Sequence, residues 1–229
     1  MSYFVFQSAF YMDKQQQPLE DLQHIKKMME RSSRFISLSG LSGIAAGVCA
    51  LAGAWFANQV IVENGGPSGY RDVVSRTFQA ESLRDFMGHR LFQIAGFTFV
   101  AALFLAFLFT YLRSKKDKIP MWGATAQRLM INVAIPMAVG GIYLYKLMQF
   151  GNYGLIAPGC LIFYGLALVN AGKYTLGEVR YLGYCQLLLG IINCWFVGYG
   201  LYFWAMGFGV LHIIYGGLMW YRYEKSSPE

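Results

Sequence analysis

Apolar residues along this chain come in long blocks, without the two-residue alternation of a half-buried strand or the single stripe of a surface helix. Six blocks are long enough to carry about 20 helical residues across roughly 30 Å of hydrocarbon. They cover residues 35–59, 91–112, 129–150, 153–171, 181–199 and 201–221. Gly151 and Asn152 alone separate the third block from the fourth, and Gly200 alone separates the fifth from the sixth. Each pair reads as a tight hairpin, because a merged block of about 40 residues exceeds what one crossing needs and glycine at the joint favours a turn. The pattern predicts an all-α integral membrane protein, with six transmembrane helices arranged as three in-out-in hairpins within a membrane domain over 35–225, followed by a short tail over 226–229.

Two segments outside the blocks carry their own pattern. Over residues 18–34, Leu22, Ile25 and Met29 recur at helical spacing, with Ile36 on the same stripe, while Lys26, Lys27, Arg31 and Arg34 fall largely elsewhere. This predicts a cytoplasmic amphipathic helix lying in the interface, either as a positive anchor or as a docking surface for anionic lipid or a partner. The leader over residues 1–17 is apolar from Tyr3 to Met12 but too short to span, and it lacks the basic start and small-residue cleavage site of a signal peptide. It reads either as a disordered segment or as sequence translated ahead of a start at Met12. Residues 60–90 form the outer loop, opening with the turn formers Glu63-Asn64-Gly65-Gly66-Pro67-Ser68-Gly69 and continuing into a short surface helix over 70–88.

Composition narrows the class. The 229 residues are 56% hydrophobic, 17% aromatic and 14% charged, against roughly a quarter charged in soluble domains, which excludes a soluble domain and a disordered chain alike. The net charge of +7 is explained by topology and calls for no nucleic-acid partner. One side of the predicted membrane collects Lys14, Lys26, Lys27, Arg31 and Arg34, then Arg113, Lys115, Lys116, Lys118 and Arg128, then Lys173, Arg180, Arg222 and Lys225. The other side has only Arg71, Arg76, Arg84 and Arg90, accompanied by acids. Positive residues are retained in the cytoplasm, so both termini are expected there, in a bacterial inner membrane. Cys49, Cys160, Cys185 and Cys194 lie in apolar stretches without a CxxC pair or a nearby histidine. They read as buried small hydrophobes, and no metal is expected.

Chemistry inside a bilayer is carried by polar residues that are costly to place there. None of the twelve carboxylates falls in a predicted crossing, which disfavours a proton or sodium relay. Lys146 lies about 6 Å from the outer end of the third crossing by helical rise, and either snorkels to the interface or presents a charge to a substrate. His212 sits near the middle of the last crossing and needs a partner. Tyr164 in the fourth crossing lies at matching depth, while Asn193 and Gln186, seven residues apart, share one face of the fifth. These five residues are the ligand-pocket candidates, weighed against a role as interhelical hydrogen-bond glue. A single midplane histidine does not supply the axial pair of a haem, no catalytic set is visible, and no cofactor is expected.

Small residues mark packing faces. Ser39, Gly43 and Gly47 recur at spacing four, and Gly207, Gly209 and Gly216 thin one side of the sixth crossing, so neighbouring backbones can approach closely. Pro136 and Pro158 are expected to interrupt the third and fourth crossings.

The stretches Gln127-Arg128-Leu129, Ala134-Ile135-Pro136, Gly154-Leu155-Ile156-Ala157-Pro158 and Phe163-Tyr164-Gly165-Leu166-Ala167-Leu168 resemble a family of bacterial polytopic inner-membrane proteins with no assigned activity. So do Lys173-Tyr174-Thr175-Leu176, Arg180-Tyr181-Leu182-Gly183, Gly198-Tyr199-Gly200-Leu201 and Gly207-Phe208-Gly209-Val210-Leu211-His212, the likeness covering roughly residues 127–225. The resemblance implies a polytopic bacterial protein and no reaction. Two functions are expected from the chain as a whole: a non-enzymatic membrane scaffold, sensor or accessory subunit, or a small transporter or binder of a neutral or amphipathic ligand through a pocket around His212. The expected partners are membrane lipids, a second copy of the chain or another protein.

Overall fold

A computed structural model describes residues 39–65, 90–117 and 122–224. The leader over 1–17, the amphipathic helix expected over 18–34, the tail over 226–229 and residues 66–89 of the outer loop lie outside the described residues. Those described are helical apart from short turns, without a strand. Helix α1 is Gly40–Gly65, α2 Arg90–Asp117, α3 Ala124–Gln149, α4 Ile156–Ala171 and α5 Glu178–Trp195. Residues 200–224 form α6, a continuous rod that alternates between α and π winding.

Among the described residues four helices are long and apolar enough to cross a membrane, where the hydrophobic pattern predicts six: Gly40–Glu63, Arg90–Lys116, Ala124–Gln149 and Val197–Tyr223. Helix α4, with 16 residues, is only about 24 Å long. Helix α5 carries Glu178, Arg180, Gln186 and Asn193 among its 18 residues.

Neighbouring helices run antiparallel and are held by glycines at their crossings. Helix α1 meets α6 where Gly43 and Gly47 face Gly216, Gly209 and Ile213, and a β-carbon at Gly216 would stand 2.5 Å from the Gly40 carbonyl oxygen and 2.6 Å from the Ile44 nitrogen. Helix α4 meets α5 through Gly165 and Gly183, each of whose β-carbons would lie 2.9 Å from the other's carbonyl oxygen. Such contacts let dispersion and weak Cα–H donors act along the backbone, which is how helices associate where lipid removes the hydrophobic drive. Helix α2 packs on α1, with Gly53 against Thr98, and α3 packs on α4, with Gly140 against Phe163. Both keep a broad apolar flank outward, with Phe97 77% and Ile142 68% exposed, as suits contact with lipid tails.

The structure agrees with the sequence pattern at the Gly151 turn and departs from it at the end of α1, at the joint before α6 and at both prolines. Glu63-Asn64-Gly65, expected as loop, is the last turn of α1; Asn and Gly are tolerated at a helix C-terminus, and Glu63 lies 3.9 Å from Arg90 of α2. Between α3 and α4, Gly151 takes the left-handed φ of 73°, with Asn152 N–H donating to the Leu147 carbonyl at 2.9 Å and Gly151 N–H to that of Met148 at 3.0 Å, a Schellman ending. The second joint does not turn on Gly200, which is buried with helical φ of −50°. Phe196 and the 3-10 turn Val197–Tyr199 make it. Pro158 does not interrupt α4, because it occupies the first turn, where its missing N–H would have had no helical partner; α3 also runs continuously through Pro136. The free cysteines are half-buried at Cys49, Cys160 and Cys194, and Cys185 is exposed on α5.

Candidate functional site

The site grows from the winding of α6. From Ala205 to Leu211 the helix is π-wound, a form that accumulates at functional positions because it loosens the regular backbone ladder. Here the Gly207 carbonyl takes two side-chain donors, Gln186 Nε2 at 2.8 Å and His212 Nδ1 at 3.0 Å. Since a carbonyl only accepts, an uncharged His212 carries its proton on Nδ1, and Nε2 is left as the acceptor. Tyr164 Oη stands 2.8 Å from that Nε2 and donates to it. The result is a relay of fixed direction from Tyr164 through His212 to the backbone of α6.

Rings frame the dyad. Trp204, Phe208 and His212 follow one another along α6, with ring centroids 5.2 Å and 6.0 Å apart, and Tyr164 of α4 lies against Phe208 at 5.0 Å and His212 at 5.5 Å. These offset contacts lock the orientation of Tyr164 and His212.

Both residues line a half-open cavity of about 480 Å³ bordered by α1, α2, α3, α4 and α6. Among the described residues its wall is otherwise apolar but for Thr98, from Ala46 and Ala50 of α1 through Phe99 and Leu103 of α2 to Met137 and Leu144 of α3, and it carries no charged side chain. Helices α2 and α3 border the cavity on one side with little contact between them. Beyond it lies a second apolar chamber of about 250 Å³, whose wall shares Ala95, Thr98, Cys160 and Trp204 with the first. The volumes fall at or near the lower part of the range of small-molecule pockets.

The five pocket candidates separate into three groups. Tyr164 and His212 meet on the cavity wall. Gln186 is fully buried behind it and holds the same carbonyl as His212, while its Oε1 has no hydrogen-bond partner and faces the Gly207 α-carbon. Asn193 is fully buried away from the cavity wall and donates to the Phe196 carbonyl at 3.3 Å, closing the turn after α5. Lys146 is exposed near the end of α3, donating to Gln149 Oε1 at 2.8 Å, outside the cavity wall.

The packing candidates also divide. Ser39 accepts the Ser42 hydroxyl at 2.5 Å at the start of α1; Gly43, Gly47, Gly209 and Gly216 form the α1–α6 crossing, while Gly207 faces Leu161 and Gln186 on the opposite side of α6. Sequence reasoning missed Gly165, Gly183 and Gly190 of the α4–α5 crossing, although the seven-residue spacing of Gly183 and Gly190 is a helical signal. It also missed the Gly207 carbonyl. Among the described residues no three of His, Cys, Asp and Glu cluster as metal ligands.

No family model, curated protein or solved structure matches the chain. The resemblance over residues 127–225 therefore brings no chemistry to the cavity, whose reading rests on its geometry.

Proposed function

We propose that the protein is a six-crossing protein of a bacterial inner membrane, both ends cytoplasmic, that binds a neutral and largely apolar ligand within its bundle and acts as a sensor or carrier without catalysis of its own. The observation that supports this most directly is the Tyr164–His212 pair on the wall of an uncharged cavity. A polar pair of fixed direction in an apolar chamber gives orientation and selectivity to a guest that the bilayer delivers. The scaffold reading has less to stand on, because the small-residue face of α1 that would receive a partner is covered by α6.

Native mass spectrometry of protein released from mild detergent tests the proposal. The wild type should carry one organic molecule, and His212→Leu should lose it with helicity retained, since Gln186 still holds the Gly207 carbonyl. Should that variant unfold, Tyr164→Phe, which keeps the ring contacts, takes its place and should lower the occupancy without abolishing it. A wild type that emerges bare, or variants that retain the molecule at wild-type occupancy, would remove the ligand-binding function.

A further inference from the structure

The two chambers share four wall residues and lie end to end along the bundle. Their α1 walls run from Ala46 in the first to Ile61 in the second, which is about 22 Å by helical rise. One leaflet of the hydrocarbon core is only about 15 Å deep. Among the described residues neither chamber is lined by a charged side chain, so a phosphate, an ammonium or a carboxylate would be left without a partner in apolar surroundings.

At the dyad the direction of the hydrogen bonds decides which polar group fits. Tyr164 Oη spends its proton on His212 Nε2, and the ring's single N–H, on Nδ1, is spent on the Gly207 carbonyl. What the pair has left to offer is acceptor capacity on the tyrosine oxygen. A guest must therefore bring the donor.

Resting on the ligand-binding reading above, we propose that the two chambers form one slot for a single-chain lipid alcohol. Its hydroxyl donates to Tyr164 Oη, and its chain passes the neck at Thr98, Cys160 and Trp204 into the second chamber. The guest arrives sideways between α2 and α3 and needs no passage through water.

The test uses the full chain in nanodiscs and the quenching of Trp204, isolated by subtracting the signal of Trp204→Phe. The probes are 1-hexadecanol and 1-decanol brominated in the chain, and the methyl ether of the brominated hexadecanol. Hexadecanol should half-saturate the quenching at a concentration about tenfold below its ether, as loss of one hydrogen bond predicts. Tyr164→Phe should abolish that preference while chain binding persists. Ala57→Phe, which fills the second chamber, should weaken hexadecanol several-fold more than decanol. Equal binding of alcohol and ether would overturn recognition of the hydroxyl and leave the ligand-binding reading in place. An equal effect of Ala57→Phe on both chain lengths would overturn the joined slot. Absence of quenching by every probe would overturn both this inference and the reading beneath it.

Discussion

Gly207 supplies two different things to the same square of the bundle: a carbonyl that holds Gln186 and His212, and an α-carbon thin enough to lie against Leu161 and the Gln186 amide. The two contributions separate by mutation. Gln186→Leu removes one donor and leaves the other, so it should lower stability by about 1–2 kcal/mol and leave the Tyr164–His212 bond in place. Gly207→Ala pushes a methyl group to 2.5 Å from Gln186 Oε1 and into Leu161, both fully buried, and should cost about 1–3 kcal/mol as an overpacked core does. Thermal unfolding in detergent, followed by circular dichroism, measures both; a Gly207→Ala protein as stable as wild type would contradict this packing. Of these residues, Tyr164 and His212 were legible as partners, because counting along two helices from the same end gives their depths. The carbonyl that His212 shares with Gln186 was not, since the backbone of a uniform apolar run shows neither its π winding nor which of its oxygens is turned to a neighbour.

At the scale of helices, the bundle is assembled from glycine crossings whose two sides are not equivalent. Gly216 lies within 2.6 Å of α1 backbone atoms by its missing β-carbon, whereas the adjacent Gly217 has no neighbour within 4 Å. Gly216→Ala should therefore part α1 from α6 and lower the unfolding temperature. Gly217→Ala should raise stability by up to about 1 kcal/mol through helix propensity alone. If the pair of substitutions behaved alike, the crossing would not be where these contacts place it. The sequence made the α1 face readable through the spacing of Ser39, Gly43 and Gly47, but not its partner, because spacing reveals that a face is thin and not what lies against it. Helix ends were less readable still: Glu63, Asn64 and Gly65 have the composition of a turn, yet a last helical turn tolerates them and they stay in α1. The number of crossings divides for a related reason, as α4 is short and α5 polar, while the apolar blocks from which six were counted include their flanking turns.

For the whole molecule, charge and contact agree on which ends lie together. Glu178 at the start of α5 receives Arg222 at 2.9 Å and Tyr223 at 2.7 Å from the end of α6, and Arg113, Lys115 and Lys116 lie at the C-terminal end of α2. Glu63 and Arg90 meet at the opposite ends of α1 and α2. In a background without the four native cysteines, Lys116→Cys and Arg222→Cys should react with a membrane-impermeant maleimide only in inside-out vesicles, and Glu63→Cys only in right-side-out ones. Reaction of Glu63→Cys and Lys116→Cys from the same side would refute the proposed threading.

The crossing of α1 with α6 also sets an order on biogenesis. A ribosome delivers α1 first and α6 after the other five, so the face carrying Gly43 and Gly47 must wait, covered by lipid or by the insertion machinery, until the helix that matches it emerges. The Tyr164–His212 wall completes at that same moment, and a nascent chain arrested in the turn before α6 would have neither a lid for that face nor a chamber to fill.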